Sequence, residues 1–449
     1  MNSDHASTFL LRLFRKAVDV RAEELRALAL GFIDYFLILS SYYVIRPIRD
    51  DFGAAGGIEN LPWMFTGTLV TMLLANALFS ALVARFSRRR FIPIAYRFFI
   101  LNLLIFLVLL AAVSKSNQIW VGRVFFVWTS VFNLFVVSVF WAFMVDVFSS
   151  DQGKRLFAFI SIGGTLGAIV GASITAGLVQ KIGTLKLLVI SAALLELSAQ
   201  CVRFFRTANP EDGASKQIAA ESPIGGGVWA GLIHNIRSPY LLGISAYMLL
   251  YAITSTLLYF QQVGIAASVF TDRGARTAFF ARIDLYVNIL TIVLQAFVTG
   301  RLLKWFGVGV TLAILPALTI LGFTTMGIKP MLAVLVIFLT LRRAGNFAIA
   351  RPARETLFTV ISREDKYKAK NFIDTVVYRV GDQIGAWTSP ALGWLGLGLT
   401  GVSFVAAPIA AVWLVTSLWL GRKQIAMSGH AELVAQTNVP VQEPSVAEA

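Results

Sequence analysis

Little in this chain can carry covalent or metal chemistry. It has one cysteine, Cys201, so no intrachain disulfide and no multi-cysteine metal site can form. Its three histidines, His5, His234 and His430, fall outside the apolar runs, which excludes a histidine proton relay inside a membrane and a histidine-ligated metal. No Walker signature is present to hydrolyse ATP. Charge is scarce too. Of 449 residues 14% are charged and 57% apolar, where a soluble protein is roughly one quarter charged. The expected class is an integral membrane protein, not an enzyme, with no cofactor and no metal.

What is present is a series of apolar segments long enough to cross ~30 Å of hydrocarbon. They run over 29–49, 62–84, 93–113, 119–145, 155–180 and 184–205, then 239–263, 277–300, 308–327, 331–358, 367–395 and 400–420. Six spans, a polar break and six more predict an all-α polytopic membrane protein with twelve transmembrane helices in two six-helix pseudo-repeats. The expected organisation is a cytoplasmic amphipathic segment 1–28, a first bundle 29–206, a cytoplasmic linker 207–238, a second bundle 239–421 and a disordered cytoplasmic tail 422–449. The start, FLLRLFRKAVDVRAEEL, alternates basic and apolar residues, which suits a helix lying on the inner surface better than a signal peptide.

The formal net charge of +15 suggests nucleic acid at first sight, but its placement argues otherwise. With the N-terminus inside, the even-numbered loops carry sixteen basic residues, among them Arg85, Arg88, Arg89, Arg155 and Lys370. The odd-numbered loops carry eight, among them Arg46, Arg49, Arg273 and Arg276. This is the positive-inside bias. Both termini are expected in the cytoplasm, with the bilayer rather than nucleic acid as the partner of the basic residues.

Three weak internal matches fall at nearly one offset. SALVARFSRR (80–89) aligns with GRLLKWFGVG (300–309), and GGTLGA (163–168) with GDQIGA (381–386). NLF (133–135) and FSSDQ (148–152) fall opposite NFA (346–348) and ISRED (361–365). Taken with the spans, they favour a duplicated six-helix unit.

SALVARFSRR resembles the loop signature of the major facilitator superfamily, roughly G-x-L-a-D-r-f-G-R-R. Arg85, Arg88 and Arg89 match, while Ser80, Ala84 and Ser87 replace Gly, Asp and Gly. In the second half Gly300, Leu302 and Gly307 match, and Lys304 takes the Asp position. Three runs, YYVIRPIRDDFG (42–53), SPYLLGISAYMLLYAITSTLLYFQQ (238–262) and RPARETLFTVISREDKYKAKNFIDTVVYRVGDQIGAW (351–387), resemble the bacterial branch of the ATP:ADP antiporter family. That resemblance implies nucleotide exchange in a bacterial inner membrane. The chain departs from the nucleotide exchangers in the eleventh span, where Arg379, Gly381 and Asp382 stand in place of a lysine and glycines after R-x-G.

In facilitator-type folds the first, fourth, seventh and tenth spans line a central cavity. The first offers Asp34, Arg46 and Arg49, with Pro47 expected to break the helix where the cavity narrows. Arg46 could instead pair locally with Asp50, one turn on. In the tenth, Arg343 and Arg354 share one helical stripe with Asn346 and Ala350, and Arg342 and Arg351 sit beside it. Arg343 should lie nearest mid-depth, and an Arg351–Glu355 pair reads as structural. The fourth span contributes Arg123 near its outer end and Asp146 near its inner end, the latter capping the inner loop with Lys154 or Arg155. In the seventh, Tyr251 could stack on a ring-bearing solute, although aromatics at that spacing usually pack.

Asp284, Asn288, Thr291 and Gln295 form a polar stripe in the eighth span, and Asp374, Tyr378 and Asp382 one in the eleventh. Arg379 and Asp382 are either a structural lock or a switch that breaks as the halves rock. Glu196 and Arg97 read as interhelix bonding. The stripe Gly163, Gly167 and Gly171 is close-packing chemistry for a helix that slides or hinges on its neighbour.

The expectation is a monomeric secondary transporter for an anionic, phosphorylated or nucleotide-like solute. Arg46, Arg49, Arg123, Tyr251, Arg343, Arg354 and Arg379 would meet the solute. Asp34, Asp146, Asp284, Asp374, Asp382, Arg85, Arg88 and Arg89 would serve coupling or gating. The alternative is a proton-coupled carrier of another small organic metabolite, working through Asp34 or Asp382.

Overall fold

The computed structural model describes residues 20–21, 23–85, 88–205, 238–361, 369–370 and 372–437, and every regular element among them is helical. The first half contains α1 (Leu25–Ala55), α2 (Leu61–Arg85), α3 (Arg88–Ala112), α4 (Lys115–Val147) and α5 (Ser150–Cys201). The second contains α6 (Pro239–Val269), α7 (Arg273–Phe297), α8 (Thr299–Ile328), α9 (Leu332–Gly345), α10 (Arg351–Leu357), α11 (Tyr378–Trp394) and α12 (Leu399–Thr437). Nine helices among the described residues are long and apolar enough to cross a membrane. The chain is a multi-pass membrane protein.

Local sequence explains the breaks. The 52-residue α5 is interrupted at Gly183, whose φ of 79° lies in the left-handed region that favours glycine. This separates the fifth and sixth apolar segments. A π-turn, Asn346–Ala350, joins α9 to α10, and a second, Ile373–Val377, leads into α11. Such turns interrupt the regular backbone ladder and recur at functional sites.

Two expectations need correction. Pro47 does not break α1, which runs unbroken to Ala55. The Thr175 hydroxyl donates to the Val44 carbonyl at 2.9 Å, so a neighbouring helix satisfies backbone next to the proline. The tail is not unstructured from residue 422, because α12 continues to Thr437. The residues there, such as Ala431, Glu432 and Leu433, are good helix formers without an apolar stripe to advertise them. Linker residues 207–237 and residues 1–19 lie outside the described residues, as do the side chains of Arg85, Arg88 and Arg89.

Glycine sets the closest packing. A Cβ on Gly163, Gly167 or Gly171 of α5 would come within 2.5, 2.2 or 2.4 Å of the carbonyl oxygens of Phe32, Phe36 and Ser40 in α1. No side chain fits there, and the two backbones touch. Hydroxyls knit the same seam: Ser40 donates to the Gly167 carbonyl at 3.1 Å and Ser41 to the Ser191 carbonyl at 2.9 Å. In the second half, Gly381 and Gly385 of α11 hold α6 the same way, each 2.9 Å by this measure from the carbonyl oxygens of Leu249 and Ile253. Around the first seam lies an aromatic core, with Phe106 edge-on to Phe125 at 5.1 Å and Trp128 stacked on Phe132 at 5.3 Å.

The halves meet along α7, which packs on α1 and α5, and along α11, which packs on α2. Described contacts between them gather toward the end where α1 finishes and α7 begins. Leu285 of α7 packs against Tyr43, Ala168 and Ala172. Farther out, Trp63 of α2 sits edge-on to Trp387 of α11 at 5.0 Å, and Phe65 lies 5.7 Å from the Tyr259 ring.

Candidate functional site

α1 delivers Arg46 and Arg49 to the interface one turn apart. Arg46 Nη1 donates to Asp284 Oδ1 of α7 at 2.9 Å. Arg343 of α9 donates to the same oxygen at 2.7 Å through Nη2. One carboxylate, 2% exposed, therefore holds two guanidinium groups from opposite halves of the chain. Arg46 makes this cross-half contact rather than the local pair with Asp50. Asp50 instead takes Arg49 Nη1 at 3.0 Å and the Tyr259 hydroxyl at 3.0 Å. The Arg49 guanidinium also lies 3.8 Å from the centre of the Phe126 ring, close enough for a cation–π contact.

A cavity of about 180 Å³ opens beside these groups. Tyr42, Arg46 and Arg49 of α1, Ser130 and Asn133 of α4, and Arg379, Asp382 and Gln383 of α11 all line it. Asp382 accepts from Thr256 at 3.1 Å and from Arg379 Nη1 at 3.2 Å. Arg46, Arg49, Arg343 and Arg379 are four cations set against the three carboxylates of Asp50, Asp284 and Asp382. The balance is one positive charge in a low-dielectric setting, where electrostatic interactions are little screened. Guanidinium groups present planar forks of donors suited to carboxylate and phosphate oxygens. The arrangement can receive an organic anion.

The halves are sealed at one end of this cavity. Asp51, fully buried, accepts from Arg273 Nε at 3.1 Å and Arg276 Nε at 2.7 Å, both at the start of α7. With Trp63 on Trp387, the Thr66 hydroxyl bonded to Gln383 at 2.9 Å and Phe65 against Tyr259, this forms a polar and aromatic lid.

No protein-family model matches the chain. Over 238 residues, 47% of its length, it is 23% identical to ADP,ATP carrier protein 2 of Chlamydia pneumoniae, and it spans 44% of that relative. Among solved structures it matches a bacterial homologue of the human lysosomal transporter Spinster, in an inward-facing and unoccupied conformation, with a TM-score of 0.53 and 12% identity. That match covers 92% of this chain and 98% of the other. It also matches a point mutant of the nucleoside transporter NupG, with a TM-score of 0.58 and 14% identity over 89% of this chain and 99% of that one.

The chain has a major-facilitator-like fold. All of these matched proteins are transporters and none is an enzyme.

Several predicted residues lie apart from the cavity of this major-facilitator-like fold. Arg123 is at a separate groove of about 700 Å³ between α2 and α4, where its guanidinium covers the Trp120 ring at 4.4 Å. Trp63 and Trp120 on that groove are about two-thirds exposed and its lining is largely apolar, so it suits lipid tails better than an anion. Asp34 is fully buried inside the first half, bonded to Ser198 at 2.5 Å, with Oδ2 lacking a hydrogen-bond partner. Asp146 is exposed at the end of α4, and Arg155 reaches Glu24 at 2.8 Å. Arg354 pairs with Asp374 at 3.2 Å, and Glu355 takes Lys370. Arg97 and Glu196 pair at 2.8 Å on the surface.

Sequence reasoning passed over two features. Arg342, treated as a neighbour of the Arg343 stripe, is 2% exposed and among the described residues bonds only neutral groups: Thr254 at 2.8 Å, Thr319 at 3.2 Å and the Tyr251 carbonyl at 3.3 Å. Tyr251 packs against it at 5.3 Å. The Asp51–Arg273–Arg276 cluster was read as loop charge. The available signal was opposite charge at the two ends that the fold brings together, RDD closing the first span and RGAR opening the eighth.

Proposed function

We propose that this protein is a secondary transporter that carries an organic anion across the membrane by alternating access. The observation that carries the reading is the Arg46–Asp284–Arg343 contact, which places cations from both halves at one point beside a polar cavity. A site shared by two bundles changes its exposure as they rock, which is the geometry alternating access needs. The proposed layout is twelve spans in two six-helix units, 29–206 and 239–421, as a monomer in a bacterial inner membrane with both termini cytoplasmic. The basic-residue asymmetry of the loops supports this orientation. On it, the Asp51 lid lies at the outer face, and the cavity belongs to an inward-facing state.

Carboxylated and phosphorylated solutes both fit the guanidinium chemistry, and the likeness to an ADP,ATP carrier favours a nucleotide-like one. Counterflow in proteoliposomes should show saturable, trans-stimulated uptake of labelled ADP, ATP, another organic phosphate or a simple carboxylate. Indifference to every nucleotide removes the nucleotide reading; indifference to every anion removes the carrier of anions. Arg343→Ala should lower uptake at least about tenfold, about 1.4 kcal/mol, without loss of folded protein, because Arg46 still pairs with Asp284. Full activity in that variant would assign the solute to another cation.

A second reading, a proton-coupled carrier of another organic metabolite, draws on Asp382. Its carboxylate lines the cavity against Arg379, where taking up a proton would free the arginine. Uptake driven by a pH gradient alone, and lost in Asp382→Asn, would favour it.

A further inference from the structure

Asp284 uses its carboxylate unevenly. Oδ1 takes both Arg46 and Arg343, while Oδ2 is buried without a hydrogen-bond partner among the described residues. A carboxylate can accept about four hydrogen bonds and a guanidinium donates five. Among the described residues, Arg46 and Arg343 each donate to nothing but this one oxygen. Most of their donors are therefore unspent, on side chains that remain 20% and 17% exposed.

The two arginines differ in what they join. Asp284 and Arg343 belong to α7 and α9 of the same half, whereas Arg46 comes across from α1. Within this cluster the Arg46–Asp284 leg is thus the tie between halves, separate from the lid contacts of Asp51. Arg46 also lines the cavity, and Asp284 and Arg343 do not. An oxyanion arriving through the cavity meets Arg46 first and competes with Asp284 for it.

We infer that Asp284 is a built-in counter-anion that holds Arg46, and with it one of the ties between the halves, until the carboxylate or phosphate of the solute takes its place. This rests on the organic-anion reading above. The empty carrier is tied and the loaded carrier released, so solute moves by exchange in preference to net flux. An uncharged analogue brings nothing that displaces Asp284 and is not carried.

The test uses the full chain with Asp284→Asn and with Asp284→Ala, two variants that remove the carboxylate and leave Arg46 and Arg343 in place. ADP and citrate are the probes. In the parent protein, exchange should exceed net efflux at least about tenfold, and in both variants the ratio should fall to near one, a loss of more than about 1.4 kcal/mol of coupling. Both variants should bind the probe several-fold more tightly, because the internal competitor is gone. Spin labels at Ile119 and Val269, exposed positions at the lidded end of α4 and α6, report the tie without transport when placed in a Cys201→Ser background. Their separation in the empty protein should widen in both variants, and in the parent protein on adding a probe.

An unchanged exchange-to-efflux ratio with unchanged label distances overturns the inference, while exchange by the parent protein leaves the carrier reading standing. If the parent protein moves no anion at all, the carrier reading fails and the labels still decide. Distances that widen in the variants but respond to neither probe in the parent protein overturn displacement by solute.

Discussion

In the first half, Gly163 and Gly167 set α5 on the backbone of α1; in the second, Gly381 and Gly385 set α11 on α6. The motifs lie at one sequence offset and pack in one way. The residue after the first glycine differs. Gly164 leaves room for the Tyr35 ring, which a Cβ would approach to 2.3 Å. The matching Asp382 reaches Thr256, Arg379 and the cavity. Backbone contact admits only glycine at the brace, but the neighbouring position faces elsewhere and is free to pack or to carry charge. The halves also bury lone charges of opposite sign. Among the described residues Asp34 bonds only the Ser198 hydroxyl and Arg342 only neutral acceptors. At these matched positions the first half is scaffold, and the second is scaffold plus chemistry.

The brace gives the largest expected effect. At Gly167 a methyl group would sit 2.2 Å from the Phe36 carbonyl oxygen, an atom of a packed helix that cannot step aside. At Gly385 the nearest atoms are the Thr256 Cβ at 2.8 Å and the Ile253 oxygen at 2.9 Å. Overpacking costs typically about 1–3 kcal/mol, so Gly167→Ala should fall at or beyond the top of that range and Gly385→Ala near the bottom. Thermal unfolding in detergent, followed by size-exclusion chromatography, compares them directly. Equal losses would mean that the two braces are not graded by distance as argued.

The lone charges come next. Thr254 and Thr319 already donate to backbone carbonyls of their own helices, at 2.8 Å each, and only accept from Arg342. Removing the arginine leaves no donor stranded. Arg342→Met should therefore change stability by less than about 1 kcal/mol, or raise it, because burying a charge without an ionic partner is unfavourable. Transport should fall strongly if the cation helps set the field of the site. Asp34→Asn should likewise leave the fold intact, because Ser198 keeps an oxygen to bond. A collapse of folded protein in either variant would show that the charge itself holds its half together.

The helical, multi-pass fold was legible, because bilayer thickness sets the length of each apolar run, and the stripe Gly163, Gly167 and Gly171 marks the first seam. In the candidate site, charged residues could be picked out singly and their pairing could not. Arg46, Asp284 and Arg343 stand out individually, since charge in a span is expensive, but the partners lie 238 and 59 residues apart in sequence. Only the packing of α1, α7 and α9 brings them to one oxygen. Arg123 was misplaced because a position near the outer end of a lining span does not say which way a side chain turns. The reading of Arg342 failed for a related reason: helical position alone does not separate the cavity face from the face turned toward α6 and α8.

The smallest effect separates the two braces by pH. Glu24 precedes α1 and ties it to α5, accepting from Arg155 at 2.8 Å and Gln152 at 3.0 Å. Burial pushes its carboxyl up, but the Arg21 amide and the Arg155 and Gln152 side chains outweigh burial and hold it below the ordinary value of 4.5. A carboxyl depressed in the folded state stabilises fully above its unfolded value and loses that contribution as pH falls through the folded one. The corresponding helix of the second half starts at Ser238, whose hydroxyl accepts from the Leu241 amide at 3.4 Å and does not titrate in this range. Glu24→Gln should therefore lower the unfolding temperature slightly at neutral pH, by under about 1 kcal/mol of stability for a pair at the helix end. The gap between variant and parent should narrow as pH falls below 4.5 and through the lower folded value of the carboxyl. Ser238→Ala should show a gap that pH leaves alone. A Glu24 gap that persists in acid would mean that its side chain braces α1 by packing and not by charge.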